Sequence, residues 1–297
     1  MNKRRNIYRG MNRKRNNLVK GFTVGLIIIG IVGGATFIKL PKFNLLDKVS
    51  NFSIFNKEKT SVKEFSYNDV KDKINKSEEN KKETVAENAK VATVDNLDIY
   101  SIQIAAIDND EELKKIEQKL DELKIPFSII DVDNVKKVQT YSSFEEGESR
   151  KNLESIKTNF SDAFVSKLEV PLLGLQYTDK YSYVEEICNE LNNLISNFKE
   201  ESKIWDKGEK SLNKEEYKNI INARLDIVGN LEKSSKKINY EGMVGFKENI
   251  IKYTTSVKEK SKASLKSIEN DEYYIGESLF ISSIQGYYSF IKSIKTI

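Results

Sequence analysis

Residues 21–38, GFTVGLIIIGIVGGATFI, form the first distinct block of the chain, an apolar run without a charge. Eighteen helical residues rise ~27 Å, close to the ~30 Å of a hydrocarbon core, so the pattern predicts a transmembrane helix over 21–39, closed by Lys39. Apolar positions then thin out. Residues 40–97 carry short patches (Phe43, Leu45, Leu46, Phe52) ahead of 71–90, KDKINKSEENKKETVAENAK, which has almost nothing to bury. A composition that cannot repay its ordering entropy reads as a linker.

From residue 98 the period changes. Residues 100–107, YSIQIAAI, alternate as a half-buried strand does. Asp108, Asn109 and Asp110 cap a helix whose stripe is Leu113, Ile116, Leu120 and Leu123, ending near Pro126. Strands follow at 127–133 and 135–141 around a turn at Asp133-Asn134. A helix over 144–158 with Leu153 and Ile156 inward comes next, then a strand at 162–168. The order is βαββαβ, which folds as one four-stranded antiparallel sheet with both helices on one face. Residues 98–171 thus make one predicted domain.

Beyond it, 174–297 reads as an all-α bundle of about four helices, near 178–204, 213–238, 241–269 and 272–295. The first shows the stripe Val184, Ile187, Cys188, Leu191, Leu194, Ile195 and Phe198, which makes Cys188 a core thiol. The last, YYIGESLFISSIQGYYSFIKSI, is apolar around most of its circumference, so it is either the most buried helix or a partner contact. The fold class is therefore α+β: membrane helix, linker, βαββαβ unit and helical bundle.

Charge refines this layout. Residues 1–20 hold eight bases and no acid, a basic tail that the positive-inside rule leaves in the cytoplasm, with everything after Lys39 outside the membrane. A cleavable signal peptide would use Gly33-Gly34-Ala35, and it gives the same final location. Residues 98–171 carry 16 acids against 10 bases. That sign opposes binding to nucleic acid, which shares the βαββαβ order in RNA-recognition domains, and VKKVQTY lacks their glycine and aromatic pattern. The chain has no histidine and one cysteine, which excludes Ser-His-Asp and Cys-His catalysis and disulfides within the chain. No cofactor is implied. A wall hydrolase working through paired carboxylates needs no histidine. However, the acids of the bundle fall mostly on polar faces beside lysines, and no cleft-forming motif is visible. The reading is a non-enzyme.

Candidate chemistry lies on the sheet. Strand parity turns Tyr100, Ile102, Ile104 and Val138 toward the helices and leaves Ser101, Gln103, Lys137, Gln139 and Tyr141 on an open face. Amides and hydroxyls suit N-acetyl and hydroxyl groups, and a tyrosine suits the C–H face of a sugar ring. The opening Tyr-x-Ile-Gln-Ile strand, the central hairpin and the Ser142-Ser143-x-Glu145-Glu146 helix start resemble the SPOR (sporulation-related) domain family, over about 75 residues. The resemblance implies binding to peptidoglycan glycan strands, with a preference for strands stripped of stem peptides. It also implies that Gln103 corresponds to a glycan-binding glutamine of the first strand and that Tyr141 aligns with a third-strand phenylalanine. Many such domains sit behind one membrane helix and a linker.

The expectation is a single-pass envelope protein that binds glycan through Gln103, Ser101, Lys137, Gln139 and Tyr141, serving cell division, sporulation or wall maintenance. The bundle would be a structural module or the dock for an envelope protein. A reporter placed after residue 60 should lie outside the membrane. Protection of that reporter from protease in intact, wall-stripped cells would reverse the orientation.

Overall fold

The computed structural model describes residues 89–132 and 135–295. The predicted basic tail, membrane helix, Asp133-Asn134 turn and linker as far as residue 88 lie outside the described residues. Among the described residues, no helix is long and apolar enough to cross a membrane.

The chain is α+β, and the βαββαβ order is present. Leu97–Ile107 (β2) leads through Asp110–Glu122 (α1) to the hairpin of Ser128–Val132 (β3) and Val135–Ser143 (β4). Glu146–Lys151 (α2), Leu153–Lys157 (α3) and Phe164–Val170 (β5) complete the unit. The predicted single helix over 144–158 is thus broken at Asn152. Local chemistry starts α1 where the sequence suggests: the Asn109 side chain accepts from the Glu111 N–H at 2.8 Å, and three acids fill the first turn. The sheet is antiparallel throughout, in the order β3-β4-β2-β5. Its first face meets α1 to α3 through Ile102, Ile104, Val138, Leu113, Leu120, Leu153 and Ile156, as the alternation predicts. Leu123 falls just past the helix and is exposed.

Two boundaries move. Lys90–Val94 (β1), at the end of the predicted linker, pairs antiparallel with Leu173–Tyr177 (β6), at the start of the predicted bundle. The inner residues of this second sheet, Ala92, Val94, Leu173, Leu175 and Tyr177, belong to the same hydrophobic cluster as Ile187, Leu191 and Leu194. Lys90–Val94 is thus part of the fold rather than of a solvated tether.

Four helices follow: Tyr183–Asp206 (α4), Lys214–Lys236 (α5), Val244–Glu269 (α6) and Tyr273–Lys295 (α7). Each packs on the next, and Cys188 is fully buried on the α4 stripe, where burial pushes its thiol up to about 12. α7 does more than close the bundle. It lies against β3, β4 and β5, on the sheet face opposite α1 to α3. Ile99, Ile130, Leu168 and Val170 of that face join Phe280, Ile281 and Ile284 of α7 in one cluster. Two polar bonds pin the contact: Gln285 Nε2 donates to Gln139 Oε1 at 2.8 Å, and the Phe127 N–H donates to Ser278 Oγ at 2.9 Å. The sheet is therefore the middle layer of three.

The bundle core also holds charge. Arg224 Nη2 stands 2.5 Å from Glu201 Oε2 with both side chains buried. Tyr217 (2.6 Å) and Trp205 (3.1 Å) donate to Glu201 Oε1, and Arg224 Nε donates to Asn197 Oδ1 at 2.7 Å. Lys260 is buried on α6, donating from Nζ to the Ser282 carbonyl at 2.9 Å, and desolvation pulls its amine down to about 7.

A core shared in this way has a direct consequence. Residues 98–171 expressed alone would leave Ile99, Ile130, Leu168 and Val170 in water, and should show no cooperative thermal transition by circular dichroism. A sharp melt of that fragment would mean that the two parts fold separately.

Candidate functional site

The five sheet residues singled out from the sequence part company in the structure. Ser101, Gln103 and Gln139 do lie opposite α1 to α3, but the face is not open: α7 covers it, and all three are buried. Ser101 Oγ lies 2.6 Å from Ser142 Oγ, and Gln139 Nε2 donates to Ser166 Oγ at 2.9 Å. Gln103 faces Gln139 across the β2–β4 ladder. The Ser101 hydroxyl and the Gln139 amide thus pair with neighbouring sheet hydroxyls and with α7, as buried polar groups must. Lys137 stands half-buried opposite Ala106 and Ile130.

Tyr141 departs for a different reason. The β2–β4 register slips between Tyr100 and Ile102, so that Tyr141 and Ser142 together oppose Ser101. The extra residue is a β-bulge, and Tyr141 takes φ 45°, a left-handed conformation that is costly for a bulky side chain. The bulge turns its ring out of the alternation and into a cleft where the βαββαβ unit meets the bundle.

This cleft, of about 330 Å³, is the candidate site. Tyr141, Ser142, Glu148, Ser149 and Lys151 line it from one side. Trp205, Asp206, Lys207 and Glu209 line it from the end of α4 and the following turn, and Tyr274 and Glu277 from the first turns of α7. Three of the four left-handed residues among the described residues, Lys124, Tyr141 and Gly208, border it. Such backbone strain persists only where the surroundings impose it, and it gathers at functional sites.

The walls are held from behind. Trp205 is fixed by its bond to Glu201, which Arg224 and Tyr217 hold in turn. The Tyr274 hydroxyl donates to Asp121 Oδ1 at 2.8 Å and accepts from Lys124 Nζ at 3.0 Å, with that ammonium 4.5 Å from the ring centre. Bonds from the last turn of α1 and from Lys124 just past it to α7 thereby lock one rim.

Two carboxyls in the cleft differ in environment. Asp206 Oδ2 accepts from Ser143 Oγ at 3.2 Å and from Ser202 Oγ at 3.4 Å. Burial raises its carboxyl to about 6 against the opposing pull of those hydroxyls. Glu277 has no hydrogen bond or ion pair among the described residues, and burial, followed by the charges of Asp206 and Glu209, pushes it up to about 8. Burial likewise pushes the Tyr141 phenol up to about 12. At neutral pH the cleft thus holds a protonated carboxylic acid and a phenol, both donors, beside a carboxylate acceptor.

Comparison of the chain with protein-family models, with curated proteins and with solved structures found no match.

Sequence reasoning singled out Tyr141, but for an open sheet face rather than for this cleft. It missed Asp206, Tyr274 and Glu277 as site residues. No local motif joins them, because residues near 124, 141, 206 and 274 meet only when α7 docks on the sheet.

The Glu277 shift can be tested by stability. Its native carboxyl titrates above its unfolded value of 4.5, so the native state holds a proton that the unfolded chain releases. The cost of ionising it in place therefore grows as pH rises from about 4.5 to 8 and is complete above. Glu277→Gln should melt close to the parent at pH 4.5 and several degrees above it at pH 8.5. A gap that does not widen with pH would place the Glu277 carboxyl in water.

Proposed function

We propose that this is an envelope glycan-binding protein, carried outside the membrane by the N-terminal helix and linker, and that its saccharide seat is the junction cleft rather than the sheet face. The SPOR-like pattern of residues 98–171 supports the class of ligand. The cleft supports the place.

One observation carries the reading: Tyr141, Trp205 and Tyr274 are brought together with carboxyl, ammonium and hydroxyl groups in a cleft of about 330 Å³. That volume lies at the small end of ligand cavities. Sugars present alternating C–H faces and hydroxyl edges, and aromatic walls with polar groups between them match both. Asp206 accepts from hydroxyl or acetamido N–H groups, while protonated Glu277 and Lys151 donate. Three lysines and four acids line the walls, so the cleft has no strong field of one sign. Binding through short hydrogen bonds and ring contacts is then nearly independent of salt.

The buried position of α7 bears on the alternative of a protein-docking bundle. Its apolar surface, the strongest candidate dock in the sequence, is spent on β3 to β5 and α6.

Tyr274→Ala should weaken co-sedimentation with peptide-stripped peptidoglycan by about 2- to 12-fold, the loss of one ring contact worth roughly 0.5–1.5 kcal/mol. Gln103→Ala, beneath α7, should lower the melting temperature and leave affinity unchanged. The opposite result, with binding lost in a folded Gln103→Ala protein and kept in Tyr274→Ala, would return the site to the sheet.

A further inference from the structure

The asymmetry between the two cleft carboxyls goes beyond what holding a sugar requires. Asp206 is hydrogen-bonded by two serine hydroxyls, an arrangement that favours its ionised form. Glu277 lines the same cleft on the first turns of α7, with no hydrogen-bond partner among the described residues, and feels the charge of Asp206. Glycoside hydrolysis needs this division of labour: one carboxylic acid to protonate the leaving oxygen and one carboxylate to activate water. The aromatic walls would hold the ring beside both groups.

We propose that the cleft hydrolyses the glycan it binds, with Glu277 as general acid and Asp206 as general base. The proposal rests on the cleft being the saccharide seat. In the reaction the Glu277 proton passes to the glycosidic oxygen as its bond to the anomeric carbon breaks. A water molecule adds its oxygen to that carbon and gives its proton to Asp206. The products are two shorter glycans, one with a new reducing end. A proton then returns from Asp206 to Glu277 through solvent, and no other reactant is consumed.

The pH dependence follows from the groups that face the pair. Glu201, Asp206 and Glu209 all oppose ionisation of Glu277. Around Asp206, the charge of Glu148 opposes ionisation, whereas Ser143, Ser202 and Lys151 favour it. With Asp206 titrating at about 6 and Glu277 at about 8, both are in the required form only between those values. The rate should be bell-shaped with its maximum near neutrality.

The test uses the full-length protein in detergent micelles with peptide-stripped peptidoglycan, reading new reducing ends and co-sedimentation together. The parent should release reducing ends with the bell-shaped profile. Glu277→Gln should lose at least about 100-fold in rate while still co-sedimenting, and Asp206→Asn should do likewise and lose the acidic limb. Circular dichroism melts of both variants establish that they are folded. A parent that binds the glycan but releases no reducing ends overturns the catalytic proposal and leaves the binding reading standing. Release that Glu277→Gln does not slow overturns the assignment of the acid. If the parent neither binds nor releases, the seat itself is wrong, and catalysis falls with it.

Discussion

The docking of α7 on the second face of the sheet is the contact on which the rest of the molecule depends. An antiparallel sheet can leave one face in water, and the polar residues at Ser101, Gln103 and Gln139 would suit that arrangement. Here the same face also carries Ile99, Ile130, Leu168 and Val170, and a helix that is apolar on most sides covers it. Of the polar groups left beneath, the Gln139 amide is met across the layer by Gln285, and the Phe127 N–H by Ser278. A wrong rotation of α7 would strand these groups at a cost of about 1–3 kcal/mol each. The polar pattern therefore fixes the register of the helix on the sheet, while the apolar residues supply the attraction.

The cleft is a product of that docking. Its walls come from segments as distant in sequence as those of Lys124 and Glu277, and the Lys124–Tyr274–Asp121 bonds close one rim only in this arrangement. Behind it lies the Glu201–Arg224 pair. A buried ion pair contributes little net stability compared with well-packed apolar residues, yet removing one partner is expensive. Its value here is positional: Glu201 takes three partners, and one of them is the indole that forms a wall of the cleft.

Most of the architecture was legible in the sequence because it rests on period. Alternation in YSIQIAAI gave β2 and its inward face, and the stripe from Val184 to Phe198 gave α4. Position 101 shows where period stops. Parity assigns a serine to the face opposite α1, but only tertiary contact decides whether that face meets water or α7. Short strands next to linkers were equally hidden: Lys90–Val94 reads KVATV, too brief to stand out, and is a strand because β6 pairs with it. Tyr141 is the third kind of miss. A β-bulge changes the parity of everything beyond it, and nothing in VKKVQTY announces one.

A chain without histidine would be expected to pass through neutral pH with little change in charge. Burial removes that immunity. In the native state Glu277 binds a proton that the unfolded chain has lost, while Lys260 has begun to give up one that the unfolded chain keeps. As pH rises toward 8, ionising Glu277 progressively destabilises the native state. Above about 7, the penalty for the buried Lys260 ammonium begins to fade. The two costs overlap most fully between those values, so these groups loosen the fold most near neutrality and relax their penalty toward either acid or base. Proton exchange on folding also changes sign there, from uptake on the acid side to release on the alkaline side. The heat of folding should accordingly depend on the ionisation enthalpy of the buffer in opposite senses on the two sides of that crossing.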